Sequence, residues 1–110
     1  SSDLLIEDFE AIDNLPELTK VKGIDIFYVA PSDMAASMGH TGNTDHPEVQ
    51  AALERAIKLV IEGGGVAGTL ANDSNLDKFL AMGVKCVGVP WQMWLKQSAE
   101  SFIERTRSAN

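Results

Sequence analysis

Two carboxylates stand out among the residues that could do chemistry. Glu7 closes the short apolar run Asp3-Leu4-Leu5-Ile6, and Asp33 follows a second run, Ile24 to Ala30, that stops at Pro31. Apolar runs of this length bounded by punctuation read as buried strands of a parallel sheet. In α/β folds the carboxyl ends of such strands are where ligands and chemistry sit. If the two strands are neighbours, Glu7 and Asp33 share one rim and come within reach of a single ion. Two carboxylates plus waters and substrate oxygens suit a hard divalent cation such as Mg2+ or Mn2+. A solvated acidic rim, with Asp33 capping the next helical turn, accounts for the same residues equally well.

Other candidates carry less. Asn72 and Asp73 follow a third apolar run, and Asp73 reads as a helix cap. His40 and His46 lie near Asp45, but no third ligand has convincing metal-site spacing, so they read as loop or interface histidines. Gly63-Gly64-Gly65-Val66-Ala67-Gly68 satisfies a dinucleotide-loop pattern in the wrong context, after a helix and before a strand. There is no GxSxG elbow, and the single cysteine, Cys86, lies within an apolar run as a small buried hydrophobe. Trp91, Met93 and Trp94 could wall a pocket, cover a partner or join a core.

The elements that must position these residues follow from punctuation and periodicity. Strands are expected at 3–7, 24–29, 66–70 and 84–89. Helices are expected from Asn14 to Gly23, from Asp45 to Gly63, from Asp73 or Ser74 to Gly83, and over 91–107. The first carries an Asn14/Glu17 capping box and packs through Leu15, Leu18 and Val21. The second carries an Asp45/Glu48 capping box, with Val49, Leu53, Ala56, Ile57 and Val60 at helical spacing. Residues 30–43 read as a long loop. Strand–helix alternation repeated four times indicates a parallel sheet in one domain, 1–110, with two open edges: half of a (βα)8 barrel. A flavodoxin-like binding domain is a weaker alternative, unsupported by any phosphate loop.

Bulk composition removes whole classes of function. Nine basic against sixteen acidic residues give a net charge of −7, so no basic stripe exists to hold nucleic acid. No apolar run is long enough to span a membrane, and the first ten residues lack a secretory pattern. A lone cysteine cannot form an internal disulfide, which favours a reducing, cytoplasmic setting over one where Asn72-Asp73-Ser74 would be glycosylated.

The segments LLIE (4–7), EAIDNL (10–15), GIDIFYVAPSDMAASMGH (23–40), HPEVQAALERAI (46–57) and VAGTLAND (66–73) resemble the HpcH/HpaI aldolases, metal-dependent class II pyruvate aldolases on a TIM barrel. The resemblance covers essentially the whole chain and maps to the carboxyl-terminal half of that barrel. It implies that Glu7 and Asp33 are the protein ligands of a divalent metal, Mg2+ or Mn2+ with Co2+ admissible. It implies that backbone N–H groups around Ser32 and Asp33 take the pyruvate carboxylate, and that Leu70 shapes the aldehyde side of the pocket. The implied reaction is reversible cleavage of a 4-hydroxy-2-oxo acid to pyruvate and an aldehyde.

The chain departs from the family at several positions. Leu5 replaces the usual Gln two residues before the metal-binding Glu. Ala30-Pro31 replaces Gly-Pro, and Pro90 and Gln92 replace the usual Gly and Asp. The family's catalytic His and substrate-binding Arg come from the other half of the barrel. The expected partner is therefore the amino-terminal half-barrel or a second copy of this chain, in a homo-oligomer that exchanges the helix 91–107. A catalytically incomplete, self-associating half-barrel is the alternative.

Overall fold

The computed structural model describes residues 1–109 and contains four strands, β1 (Asp3–Ile6), β2 (Ile26–Val29), β3 (Ala67–Leu70) and β4 (Cys86–Gly88). They pair in parallel in the order β1-β2-β3-β4, with Leu4 opposite Phe27, Phe27 opposite Ala67 and Gly68 opposite Cys86. The order follows the sequence without reversal. Doubly wound flavodoxin-like sheets reverse at a switch point, so that alternative is excluded, and a segment of an α/β barrel fits.

One face of the sheet carries the core. Ile6, Phe27, Val29, Ala67 and Thr69 point under α3 (Pro47–Glu62) and are fully or nearly fully buried. On α3 the buried positions are Val49, Ala52, Leu53, Ala56, Ile57 and Val60, alternating steps of three and one as an apolar stripe at helical period requires. Burying each large aliphatic side chain contributes roughly 1.5–3 kcal/mol, which is why this sequence commits to a helix there. Thr69 is the one buried polar residue among those described, and its Oγ1 donates to the Val29 carbonyl at 2.9 Å. Thr69→Val removes that bond while keeping the shape, so chemical denaturation should show a loss of about 1 kcal/mol.

The opposite face is apolar and uncovered. Leu5 is 57% exposed, and Ile26, Tyr28, Leu70 and Cys86 are only half-buried. The Tyr28 ring lies across β3 and β4 where Gly68 and Gly88 leave room. A Cβ at Gly68 would sit 2.9 Å from Tyr28 Cδ2, and one at Gly88 would collide with Tyr28 Oη. Partial burial and the nearby Cys86 raise the Tyr28 pKa, against a backbone hydrogen bond from Gly88 that lowers it. Cys86 is half-buried rather than buried because it lies on this uncovered face.

Several expected boundaries move for local reasons. Residues 30–43 are not all loop: α2 (Pro31–Ser37) begins there, with Pro31 at its first position and Met34 and Ala35 buried. Seven residues are too few to show a helical period. The helix expected from Asn14 is a 3-10 helix (Phe9–Asn14) running directly into the one-turn α1 (Leu15–Leu18). Asn14 is already helical there and caps nothing, and Val21 is exposed. The α3 cap is His46, not Asp45. Pro47 takes the first helical position and drives the residue before it to extended backbone, φ −56° and ψ 133°. Neither Asp73 nor Ser74 caps α4 (Leu76–Met82); Asn75 precedes it, and its Oδ1 accepts from the Asn72 N–H at 2.8 Å.

The last helix, α5 (Trp91–Ser108), buries none of its residues and leaves Trp91, Met93, Trp94, Leu95, Phe102 and Ile103 exposed. It accounts for much of the 61 Å long axis. Among the described residues, no helix is long and apolar enough to cross a membrane.

Candidate functional site

The carboxyl ends of β1 and β2 are level. Ile6 and Val29 are register partners, and the Ala30 N–H donates to the Ile6 carbonyl at 2.9 Å. Glu7 therefore leaves β1 where Ala30 leads into α2, and Asp33 stands in the first turn of that helix. Both residues are exposed, and neither carboxylate has an ion-pair or hydrogen-bond partner among the described residues. The parallel register thus puts Glu7 and Asp33 on one rim of adjacent strands. As hard oxygen donors free of competing cations, they fit a divalent metal.

Ser32 lies between them in the chain. The first intrahelical bond of α2 is from Met34 N–H to the Ala30 carbonyl at 3.0 Å. Pro31 has no N–H, so those of Ser32 and Asp33 are the two free donors of the first turn. Adjacent, unpaired N–H groups at a helix start favour an anion.

Ser32 also lines a cleft of about 290 Å3 together with Leu70, Thr44, Asn75, Phe79 and Met93. The structure thus brings Ser32 and Leu70 into one cavity, whereas Glu7 and Asp33 do not line it. Thr44 and Asn75 escape the sequence reading, whereas Met93 is one of its pocket-wall candidates. The three come from segments following different strands, and only a shared position beyond a strand end could have pointed to Thr44 and Asn75. A second cleft of about 210 Å3, lined by Asn72, Asp73, Pro90, Met93, Trp94 and Gln97, continues along the rim. The first turn of α5 therefore walls both clefts and is not core. Asn72 is half-buried, and its Oδ1 accepts from Ser74 N–H at 2.9 Å and Ser74 Oγ at 2.5 Å, closing the turn after β3.

Residues 4–93 match the family described as HpcH/HpaI aldolase/citrate lyase. The chain belongs to this family. It is 44% identical over 85 residues to the 4-hydroxy-2-oxo-heptane-1,7-dioate aldolase of Escherichia coli, an alignment that takes in 76% of this chain and 32% of that protein. A HpcH/HpaI aldolase/citrate lyase family protein from Burkholderia cenocepacia superposes with a TM-score of 0.84 at 24% identity, over 96% of this chain and 42% of that one. A citrate synthase, SbnG, superposes with a TM-score of 0.79 at 20% identity, over 98% of this chain and 46% of the other. This HpcH/HpaI chain therefore spans about a third of the length of the curated relatives it matches. Its four βα units are part of a larger α/β barrel in its structural neighbours.

His40 and His46 do have a third companion, contrary to the sequence reading. Their ring centroids lie 3.7 Å apart at an interplanar angle of 16°, and His40 Nε2 is 2.8 Å from Glu48 Oε2. That hydrogen bond and the neighbouring imidazoles hold the Glu48 carboxyl below its ordinary value of 4.5. The signal in the sequence is Glu48, two residues after His46, which capping-box spacing with Asp45 masks.

Proposed function

We propose that this chain supplies the metal- and pyruvate-binding half of a class II aldolase barrel, which cleaves a 4-hydroxy-2-oxo acid reversibly to pyruvate and an aldehyde. The observation carrying this reading is the level register of β1 and β2. It supports the reading because it brings the carboxyl ends of β1 and β2 level, with Glu7 just beyond one and Ser32 and Asp33 just beyond the other.

Glu7 and Asp33 would hold the metal, Mg2+ or Mn2+ with Co2+ admissible. When bound, a divalent cation supplies Lewis-acid withdrawal of electrons from the 2-oxo group as the C3–C4 bond breaks. The Ser32 and Asp33 N–H groups donate to the substrate carboxylate and fix its orientation. Leu70 closes the cleft on the side where the aldehyde leaves and keeps water from it. Moving the proton of the 4-hydroxyl, a step worth roughly 10²–10⁴-fold in rate, needs a further acid–base group. That group would come from another half-barrel.

The bare face of the sheet supports the same division. Parallel sheets are covered on both faces, and the inner face of a barrel is filled by layers of side chains. Leu5, Ile26, Tyr28 and Leu70 contribute to successive layers of that kind, which an amino-terminal half-barrel or a second copy would complete. Exchange of α5 with a neighbouring chain would cover its apolar residues.

The uncovered face also favours a second reading, a self-associating half-barrel without turnover. Pyruvate release from 4-hydroxy-2-oxo acids, measured with Mn2+ beside the mass by light scattering, separates the two. The expected result is negligible release by the chain alone and restored release with the complementary half-barrel. An oligomer that stays inactive in the assembled barrel supports the second reading and overturns the first.

A further inference from the structure

We propose that His40, His46 and Glu48 form a second cation site, distinct from the Glu7–Asp33 rim and suited to Zn2+ or a similar borderline transition metal.

The three residues sit at helix ends whose geometry is fixed by backbone bonds. α2 ends in a Schellman motif. Gly39, at φ 80°, donates to the Ala36 carbonyl at 3.1 Å, and His40 N–H donates to the Ala35 carbonyl at 2.8 Å. Gly42, at φ 76°, then turns the chain back, and Asn43 N–H bonds the His40 carbonyl at 2.9 Å. His46 is the α3 N-cap, its Nδ1 accepting from the Glu48 N–H at 3.2 Å. Glu48 is the second residue of that helix. Two helix ends and a five-residue turn, 41–45, thus bring three ligand-bearing side chains close together.

One ring nitrogen of each histidine and one Glu48 oxygen all lie within 4.8 Å of one another. Tetrahedral zinc, with ligand distances of about 2.0–2.2 Å, needs donors roughly 3.3–3.5 Å apart. His40 Nε2 and Glu48 Oε2, at 2.8 Å, are already inside that spacing. The Glu48 side chain is 69% exposed and free to swing, while that of His40 is 25% exposed and held. To share one ion the two rings must turn out of their stack so that their in-plane lone pairs converge.

The chemistry of the set selects the metal. Two imidazoles and one carboxylate suit zinc and its neighbours rather than Mg2+ or Ca2+, which prefer all-oxygen shells. His46 Nδ1 accepts from the Glu48 N–H, so a metal taken at that nitrogen would replace the cap bond. Three protein ligands leave a fourth position for water. None of the three residues lines either rim cleft. A bound ion would therefore pin the α2–α3 connection without entering the aldol chemistry.

The test uses the chain stripped of metal and carrying Glu7→Gln and Asp33→Asn, which separates this site from the rim. Titration calorimetry with Zn2+ should show one saturable equivalent, and Zn2+ should raise the thermal unfolding midpoint. Adding His40→Phe, which keeps a ring in the stack, or Glu48→Gln should lower Zn2+ affinity at least about tenfold, the minimum that even outer-shell substitutions produce. Circular dichroism confirms that each variant folds, and Glu48→Gln, at an exposed position, serves if His40→Phe does not. Absence of saturable Zn2+ binding in the double variant overturns the site, leaving a hydrogen-bonded helix cap. Unchanged affinity in the folded third-site variants overturns it equally.

Discussion

Replacing Asp33 by Ala should lower the Mn2+ affinity of the assembled barrel by more than about 100-fold and abolish pyruvate release. Substitutions outside a metal's ligand shell already cost roughly 10–100-fold in affinity, and Asp33 is one of only two proposed protein ligands. The fold should survive the change. Asp33 is exposed in the first turn of α2, its carboxylate has no partner among the described residues, and Pro31, Met34 and Ala35 supply the buried contacts of that helix. Loss of Mn2+ binding with an unchanged circular dichroism spectrum is the expected pair of results. Mn2+ titration by calorimetry checks it, and an unchanged affinity would remove Asp33 from the metal shell. Because manganese favours carboxylate oxygen over a histidine-rich set, the titration reads the rim rather than the His40–His46–Glu48 cluster.

The second large effect lies in the core. Phe27→Ala should destabilise the chain by about 3–5 kcal/mol, the cost of an aromatic cavity that neighbours cannot refill. Phe27 is 2% exposed at the middle of β2, flanked by Leu4 on β1 and Ala67 on β3. Its ring presses against the chain reversal after α3. A Cβ at Gly65 would lie 3.0 Å from Phe27 Cδ2 and 3.1 Å from Val60 Cγ1. Small domains are stable by only about 5–15 kcal/mol, and this sheet has one covered face, so the loss should leave the chain partly unfolded at room temperature. Urea titration followed by circular dichroism measures it. A loss below about 1 kcal/mol would mean that the core collapses onto the gap, and that β2 is less central than its burial indicates.

Both predictions start from β2, and β2 shows how much the chain's own order discloses. Its apolar run, stopped by Pro31, placed Asp33 just beyond a strand end. The run Val49, Leu53, Ala56, Ile57, Val60 placed α3 over the sheet. Alternation of four such strands with helices implied a parallel sheet, and the pairing order then distinguished a barrel segment from a doubly wound sheet. What failed did so where one residue acts on its neighbour. Pro47 dictates the backbone of His46 and so moves the cap away from Asp45. The 3-10 helix reaching Asn14 denies that residue a capping conformation. α2 is too short for periodicity to reveal it, although Pro31 opens it and Gly39 closes it.

The residue types and strand-end positions of Glu7, Ser32, Asp33 and Leu70 were thus determined by the sequence, because strand punctuation is local. Which of them share a cavity was decided by tertiary structure. Strand register and the path of the loops set that, and these depend on contacts between residues far apart in the chain. Ser32 meets Leu70 across β2 and β3, and Met93 reaches the same cleft from the far end of the sheet. His40, His46 and Glu48 meet only because a left-handed glycine ends α2 and a proline fixes the start of α3. Spacing of six and then two residues does not announce such a meeting; the fold of the turn between them does.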